Sequence, residues 1–346
     1  MDILIFEDDE LQILIDVIKN LQILYHPIYA PNGKIDDDDL HKLEKSEVMI
    51  ILDSNLLSPI YDIAKNGETK DRDGLLKVSA LILFSRFLRA QITSGFALIE
   101  NEMNNKKTLS SLEKNEYFLY AVNDIPSMVW KKIAFGEIDK IPEISLSYNP
   151  EQENAFKIKR NLHYVMHKIA VLKIVYFLRQ NDMDPFDKFM NFMEWYVKNL
   201  ILTESLMVYA AMVFADINGI KKPKHHNSKD FGKVLEGIEN QAWDFHYLSQ
   251  WSTLFNSKDK IFFFATNDDT LKNIIINSIP FGEGIKAVLS IFHTHKNHEI
   301  FKEFYRHNLG KNRVKPFELS DNDLVDFLEK KFSIEKREFE EYLNEK

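Results

Sequence analysis

Two aspartates stand directly after short apolar runs: Asp53 follows "EVMIIL" and Asp268 follows "DKIFFFATN". A short, continuously apolar run reads as a strand buried on both faces. In open α/β sheets, sites form beyond the carboxyl ends of such strands. If the two strands are neighbours, both carboxylates arrive on adjacent loops, where they repel one another unless a cation lies between them. Hard divalent ions such as Mg²⁺ and Mn²⁺ take oxygen ligands, so clustered Asp and Glu are the ligand type they require. The plain alternative for Asp53 is an Asx cap at the start of a loop. Of Asp268 and Asp269, one would cap the helix to follow, with Asp268 the better ligand and Asp269 the better cap.

Other side chains compete for a chemical role. "HYVMH" sets His163 and His167 one helical turn apart, but it lacks the Glu of the H-E-x-x-H zinc motif and lies in an apolar stretch, so it reads as structural. "HTHKNH" (His293, His295, His298) reads as a polar helix end, and Glu194 and Glu204 as solvated or paired residues, Glu204 being an outside candidate for an extra ligand. "KKPKHH", with Lys221, Lys222 and Lys224, and "KNRVK" suit phosphate contacts or are ordinary solvated loops. No Gly-rich phosphate loop of the G-x-x-x-x-G-K-S/T type and no G-x-S-x-G elbow occurs.

The elements that position these residues are mostly helical. "MDILIF" reads as a short strand and "DELQILIDVIKNLQIL" as an amphipathic helix. The Asp run of "PNGKIDDDDLHKLEKS" caps a short charged helix. After the first apolar strand, "GLLKVSALILFSRFLRAQITSGFALIENEMNNKK" reads as a helix, a break at Gly95 and a second helix carrying Glu100 and Glu102. Helical spacing then dominates from about Asn149 to Gly219. A loop holding Gly219 and Pro223 leads to "FGKVLEGIENQAWDFHYLSQWSTLF", an amphipathic helix, and then the second strand. "IPEISLSY" is a candidate further strand. Short apolar strands among helices predict a parallel sheet covered on both faces.

Against this frame of elements, "IILDSNLLS" resembles the opening of PIN-domain ribonucleases, a hydrophobic strand running into Asp, then Ser or Thr, then Asn. "FFFATNDDTL" is similar to that family's late strand, which ends in Thr, one residue, Asp. "GFALIENE" and "NQAWDFHYLSQW" supply, in the family's order, a helix-borne acid and a helix aspartate before the last strand. The likeness covers roughly residues 47–103 and 235–280, and it departs from the family in a long, mostly helical insertion. It implies an acidic quartet of Asp53, Glu100 (or Glu102 beside it), Asp244 and Asp268, with Ser54, Asn55 and Thr266 as polar supports. It also implies a three-layer, PIN-like α/β fold with a parallel sheet flanked by helices. Residues 1–110 and 231–285 would build that domain, 111–230 the helical insertion and 286–346 a helical C-terminal region. The activity implied is hydrolysis of phosphodiester bonds with Mg²⁺ or Mn²⁺, ribonuclease ahead of deoxyribonuclease, on RNA or single-stranded DNA. Many such nucleases act in toxin or defence settings. The alternative is an inactive domain of the same fold that binds a protein partner, or itself, through the helical insertion. A haloacid-dehalogenase-type phosphatase is disfavoured, because its Asp-x-Asp is missing where position 55 is Asn.

Composition sets outer bounds. The chain of 346 residues has 53 acidic and 44 basic residues and a net charge of −9, which argues against a general polyanion-coating protein. There is no cysteine, which removes disulfides, thiolate zinc sites and cysteine nucleophiles together. The start lacks the basic and apolar regions of a signal peptide, and "LMVYAAMVFADI" is too short to span a bilayer. A cytoplasmic protein, without a membrane partner, is the expectation.

Overall fold

In the computed structural model, which describes residues 8–103, 111–146, 162–255, 257, 259–279, 283–308 and 321–345, the chain is mixed α/β and mostly helical. The first elements are α1 (Asp8–Leu21), β1 (Leu24–Tyr25), α2 (Asp37–Leu43), β2 (Val48–Leu52), α3 (Ser54–Asn66), α4 (Arg72–Phe87) and β3 (Gln91–Thr93). Next come α5 (Gly95–Met103), α6 (Ser111–Asn123), α7 (Ser127–Ala134), α8 (Leu162–Leu178), α9 (Pro185–Asn199), α10 (Glu204–Phe214) and α11 (Phe231–Leu254). After β4 (Ile261–Ala265) come α12 (Asp269–Ser278), α13 (Glu283–Ile291), α14 (His295–Asn308) and α15 (Asp321–Glu345). Contacts divide the chain into two units, Met1–Ile158 with Trp251–Asp268, and Lys159–Gln250 with Asp269–Lys346. The last turn of α11 therefore belongs to the first unit.

In the first unit the sheet runs β1-β4-β2-β3. The two strands foreseen from sequence, β2 and β4, are its centre and pair in parallel, Ile50 opposite Phe263 and Leu52 opposite Ala265. Both are buried almost throughout, which is why neither shows an alternating pattern. The indole of Trp251 donates to the Phe262 carbonyl at 2.8 Å, fixing the end of α11 against β4.

The edges correct the sequence reading. The sheet is mixed rather than parallel, because β1 pairs antiparallel with β4 after the chain reverses at Gln22, whose φ is +47°. The stretch read as helix, break, helix also contains β3, three residues paired in parallel with β2. "IPEISL" forms no strand over 141–146, and "MDILIF" lies outside the described residues.

Helix α4 is buried on nearly every face from Leu75 to Ser85 and packs against α1, α3 and α7. At its end the Arg86 guanidinium donates to the Val122 and Ile125 carbonyls at 2.7 and 2.8 Å, tying down the turn between α6 and α7. Helix α3 starts on the Asp53 cap and stops at Gly67, whose φ is +70° and whose N–H bonds the Ile63 carbonyl.

The second unit consists of helices joined by loops, with no strand among its described residues. Asp184 caps α9 through the N–H groups of Phe186 and Asp187, with Pro185 at the first helical position. Helix α10, the apolar stretch "LMVYAAMVF", is buried on every face and packs against α9, α12 and α13. Among the described residues no single helix is long and apolar enough to cross a membrane.

The glycines ending two turns give a paired test of backbone strain. Gly136, with φ +73°, has open space around an added Cβ, whereas a Cβ on Gly67 would stand 2.5 Å from the Ile141 carbonyl oxygen. Gly136→Ala is expected to cost only the left-handed backbone penalty of about 1–2 kcal/mol. Gly67→Ala is expected to cost more than that, because the backbone of Ile141 must also move. Urea denaturation of the two variants checks the order.

Candidate functional site

The centre of the sheet ends where the first unit's acidic residues gather. Asp53 follows β2 and is 2 % exposed. Its N–H donates to the Ala265 carbonyl at 2.9 Å, continuing the β2–β4 ladder by one bond. One carboxylate oxygen accepts from the Ser54 N–H at 2.6 Å, which makes Asp53 the cap of α3. The other accepts from the Thr266 hydroxyl at 2.7 Å and from the Asn55 amide.

The residues after β4 are fastened to the start of α3 by the same groups. Thr266 Oγ1 accepts from the Asp268 N–H at 3.0 Å, and Asn55 Oδ1 accepts from the Asn267 N–H at 3.0 Å. Lys77 on α4 donates to Asn267 Oδ1 at 3.0 Å. Ser54, Asn55 and Thr266 thus hold one carboxylate and two chain segments in fixed register. Thr266 itself is fully buried.

Electrostatics marks the corner as one where carboxylates oppose one another. The Asp53 carboxyl is pushed up to about 6, chiefly by burial, with the carboxylates of Glu100 and Asp268 adding to the rise. The bonds from Thr266 and Ser54 oppose that shift without cancelling it. Glu100 on α5 and Asp268 beyond β4 are half-buried. Asp53, Glu100 and Asp268 therefore act on one another within a single unit. The Glu102 side chain lies outside the described residues.

The remaining acid of the expected quartet is in the other unit. Asp244, on α11, accepts from Gln241 Nε2 at 2.8 Å, and Gln241 Oε1 accepts from the Tyr209 hydroxyl at 3.0 Å. The basic loop is there too: Lys222 pairs with Asp216 at 2.6 Å, and the Lys221 N–H donates to Thr270 at 3.0 Å. The Lys224 carbonyl lies so close to α11 that only a glycine, Gly237, fits beneath it. "KNRVK" lies outside the described residues. His167 is fully buried and shares a 2.7 Å hydrogen bond with Ser249, while His298 bonds the Leu289 carbonyl at 2.6 Å. Glu194 is exposed, Glu204 opens α10, and Asp269 opens α12 facing solvent with Lys272 at 3.5 Å.

The donor chemistry at the strand ends fits a hard divalent cation, since it consists of carboxylate oxygens, one of them on a carboxyl raised chiefly by burial and further by its acidic neighbours. The spacing is less complete: among the described residues, no group of three His, Asp or Glu side chains is placed to hold a metal ion. Sequence reasoning passed over Lys77 and Asn267, which brace the loop, and also Tyr61 and Lys114, which border a cavity beside Glu100. Helical spacing of Ser54, Ser58 and Tyr61 on α3 was the available signal for Tyr61, and Lys114 on α6 had none. No protein-family model, curated protein or solved structure matches this chain.

The raised carboxyl has a thermodynamic signature. Asp53 titrates near 3.8 when unfolded and about 6 when folded, so its neutral form favours the fold. That contribution is complete below about pH 4 and is lost as pH rises through 6, amounting to up to about 3 kcal/mol. Asp53→Asn removes the dependence. The stability of the variant relative to the parent, measured in urea, is expected to climb between pH 4 and pH 7.5; a difference that stays flat with pH excludes the raised carboxyl.

Proposed function

We propose that the first unit is a PIN-like, divalent-metal-dependent nuclease whose reaction is carried by Asp53, Glu100 and Asp268. The observation that carries this reading is the buried carboxyl of Asp53, set at the end of a central strand and raised chiefly by burial and further by Glu100 and Asp268. A hard cation beside it relieves the repulsion among those carboxylates. Mg²⁺ or Mn²⁺, when bound, supplies a polarised water and neutralises charge on a phosphodiester.

The chain's own residues do the rest. Thr266 and Asn55 fix the Asp53 carboxylate so that it does not rotate away. Asn55 and Lys77 hold the loop that carries Asp268. Burial of Asp53 keeps bulk water from screening the cluster. RNA or single-stranded DNA is the substrate class, with ribonuclease the first expectation.

A second reading is favoured by one observation. Both oxygens of Asp53 already accept hydrogen bonds, as a purely structural cap would, and three ligands do not meet at one point among the described residues. On that reading the protein works by binding a partner, with the helical second unit as its surface.

Incubation of the full chain with labelled RNA and DNA, single- and double-stranded, separates the two. Cleavage is expected with Mg²⁺ or Mn²⁺ and not with chelator. Asp53→Asn and Asp268→Asn are each expected to slow it by about a hundredfold or more while the protein stays folded. Mn²⁺ is expected to raise the melting temperature of the parent but not of Asp53→Asn. Absence of both cleavage and a thermal response to Mn²⁺ would leave the partner-binding reading in place.

A further inference from the structure

Beside the carboxylates, within the first unit, is a cavity of about 170 Å³. One turn-by-turn face of α3 lines it with Ser54, Leu57, Ser58 and Tyr61, and Ala97 and Glu100 of α5 and Lys114 of α6 complete it. It is contiguous with the acidic corner through two residues: Ser54 donates its N–H to the Asp53 carboxylate, and Glu100 acts on the same carboxyl.

Against one carboxylate, Glu100, the lining sets an ammonium, Lys114, and the hydroxyl groups of Ser54, Ser58 and Tyr61. The Lys114 ammonium stands 5.7 Å from the centre of the Tyr61 ring, and that of Lys65, held by Glu113 at 3.2 Å, stands 5.8 Å from it. Partial burial lowers the Lys114 pKa, while Asp62 and Glu100 work to keep the ammonium charged. Tyr61 is 9 % exposed, and its buried hydroxyl lies beside the Lys65 ammonium and donates to no acceptor among the described residues. An ammonium can only donate, so the O–H of Tyr61 is left to meet an acceptor brought from outside. Ser54 and Ser58 add hydroxyl groups, and Leu57 and Ala97 provide only a small apolar wall.

Size decides what kind of anion. Pockets that enclose whole small molecules run from about 300 Å³ upward, so this one holds a single charged group and not a nucleoside with it. We propose that the cavity binds a backbone phosphate of a nucleic-acid strand, adjacent to the phosphodiester at the carboxylates, with Lys114 as its counter-charge and the Tyr61 hydroxyl as a donor. The inference rests on the nuclease reading of the neighbouring acids. It explains why a site of high negative charge has a lysine at its margin: the strand must be drawn toward carboxylates that repel it.

The test uses the full chain in chelator, so that cleavage plays no part. Anisotropy of fluorescent single-stranded RNA and DNA oligonucleotides is followed across a salt series for the parent, Lys114→Ala, Lys114→Arg and Tyr61→Phe, each checked for folding by thermal melting. One phosphate contact contributes about 0.7 to the slope of log affinity against log salt for a single strand. Lys114→Ala is expected to reduce the slope by about that amount and to weaken binding severalfold, with Lys114→Arg retaining both. Tyr61→Phe is expected to weaken binding without changing the slope.

Equal slopes and affinities for the parent and Lys114→Ala overturn the proposal, as does failure of the parent to bind either strand. A thermal response to inorganic phosphate that depends on Lys114, without strand binding, assigns the cavity to free phosphate and overturns the strand. Cleavage in Mg²⁺ is scored separately. Lys114-dependent binding without cleavage removes the nuclease reading and keeps the cavity assignment, whereas cleavage with no effect of Lys114 does the reverse.

Discussion

The first unit depends on one lateral pairing, between β2 and β4, made by residues 213 positions apart where Thr266 bonds Asp53. Five backbone-paired positions align the strands, and the Asp53 N–H extends the alignment to Ala265. Every group at the candidate site inherits its position from this register. A slip of one residue would turn Asp53 and Thr266 to opposite faces. The pairing survives a long interruption in sequence because loop-closure entropy grows only logarithmically, by about 0.6 kcal/mol for each doubling of length.

The same join explains how a carboxylate is kept in an apolar setting. Burial of a charge is costly unless hydrogen bonds replace the water it loses. Asp53 receives such bonds from Ser54, Asn55 and Thr266, two from the helix it caps and one from across the join. Those bonds do not restore an ordinary carboxylate, because burial outweighs them and two more acids act on the same group. Structural capping and electrostatic tension therefore coexist in one side chain, and the two functional readings differ in which of them they place first.

Much of this was legible in sequence where the signal was strong and local. "VMIIL" and "IFFFA" are too apolar to be anything but central strands, and their endings pointed to Asp53 and Thr266. The buried α10 was legible for the same reason. What escaped had weak local signals. β3 is three residues long and partly exposed, so it has no period to detect, and it lay hidden between two strong helices. β1 is two residues long and is defined by its partner alone. Lys77 and Lys114 look like ordinary helix-surface lysines in the sequence. Only the packing of α4 and α6 brings the first to Asn267 and the second to the cavity beside Glu100.

The late position of β4 has a consequence for how the chain is made. Synthesis proceeds from the N-terminus, so β2 and β3 emerge long before the strand that belongs on the other side of β2. Until β4 leaves the ribosome, β2 has an open apolar flank of unpaired backbone groups, the kind of edge on which nascent chains associate wrongly. The first unit can close only after the polypeptide of most of α11 has been translated, which makes its maturation post-dated to that of the helices in between and a natural point for chaperone engagement.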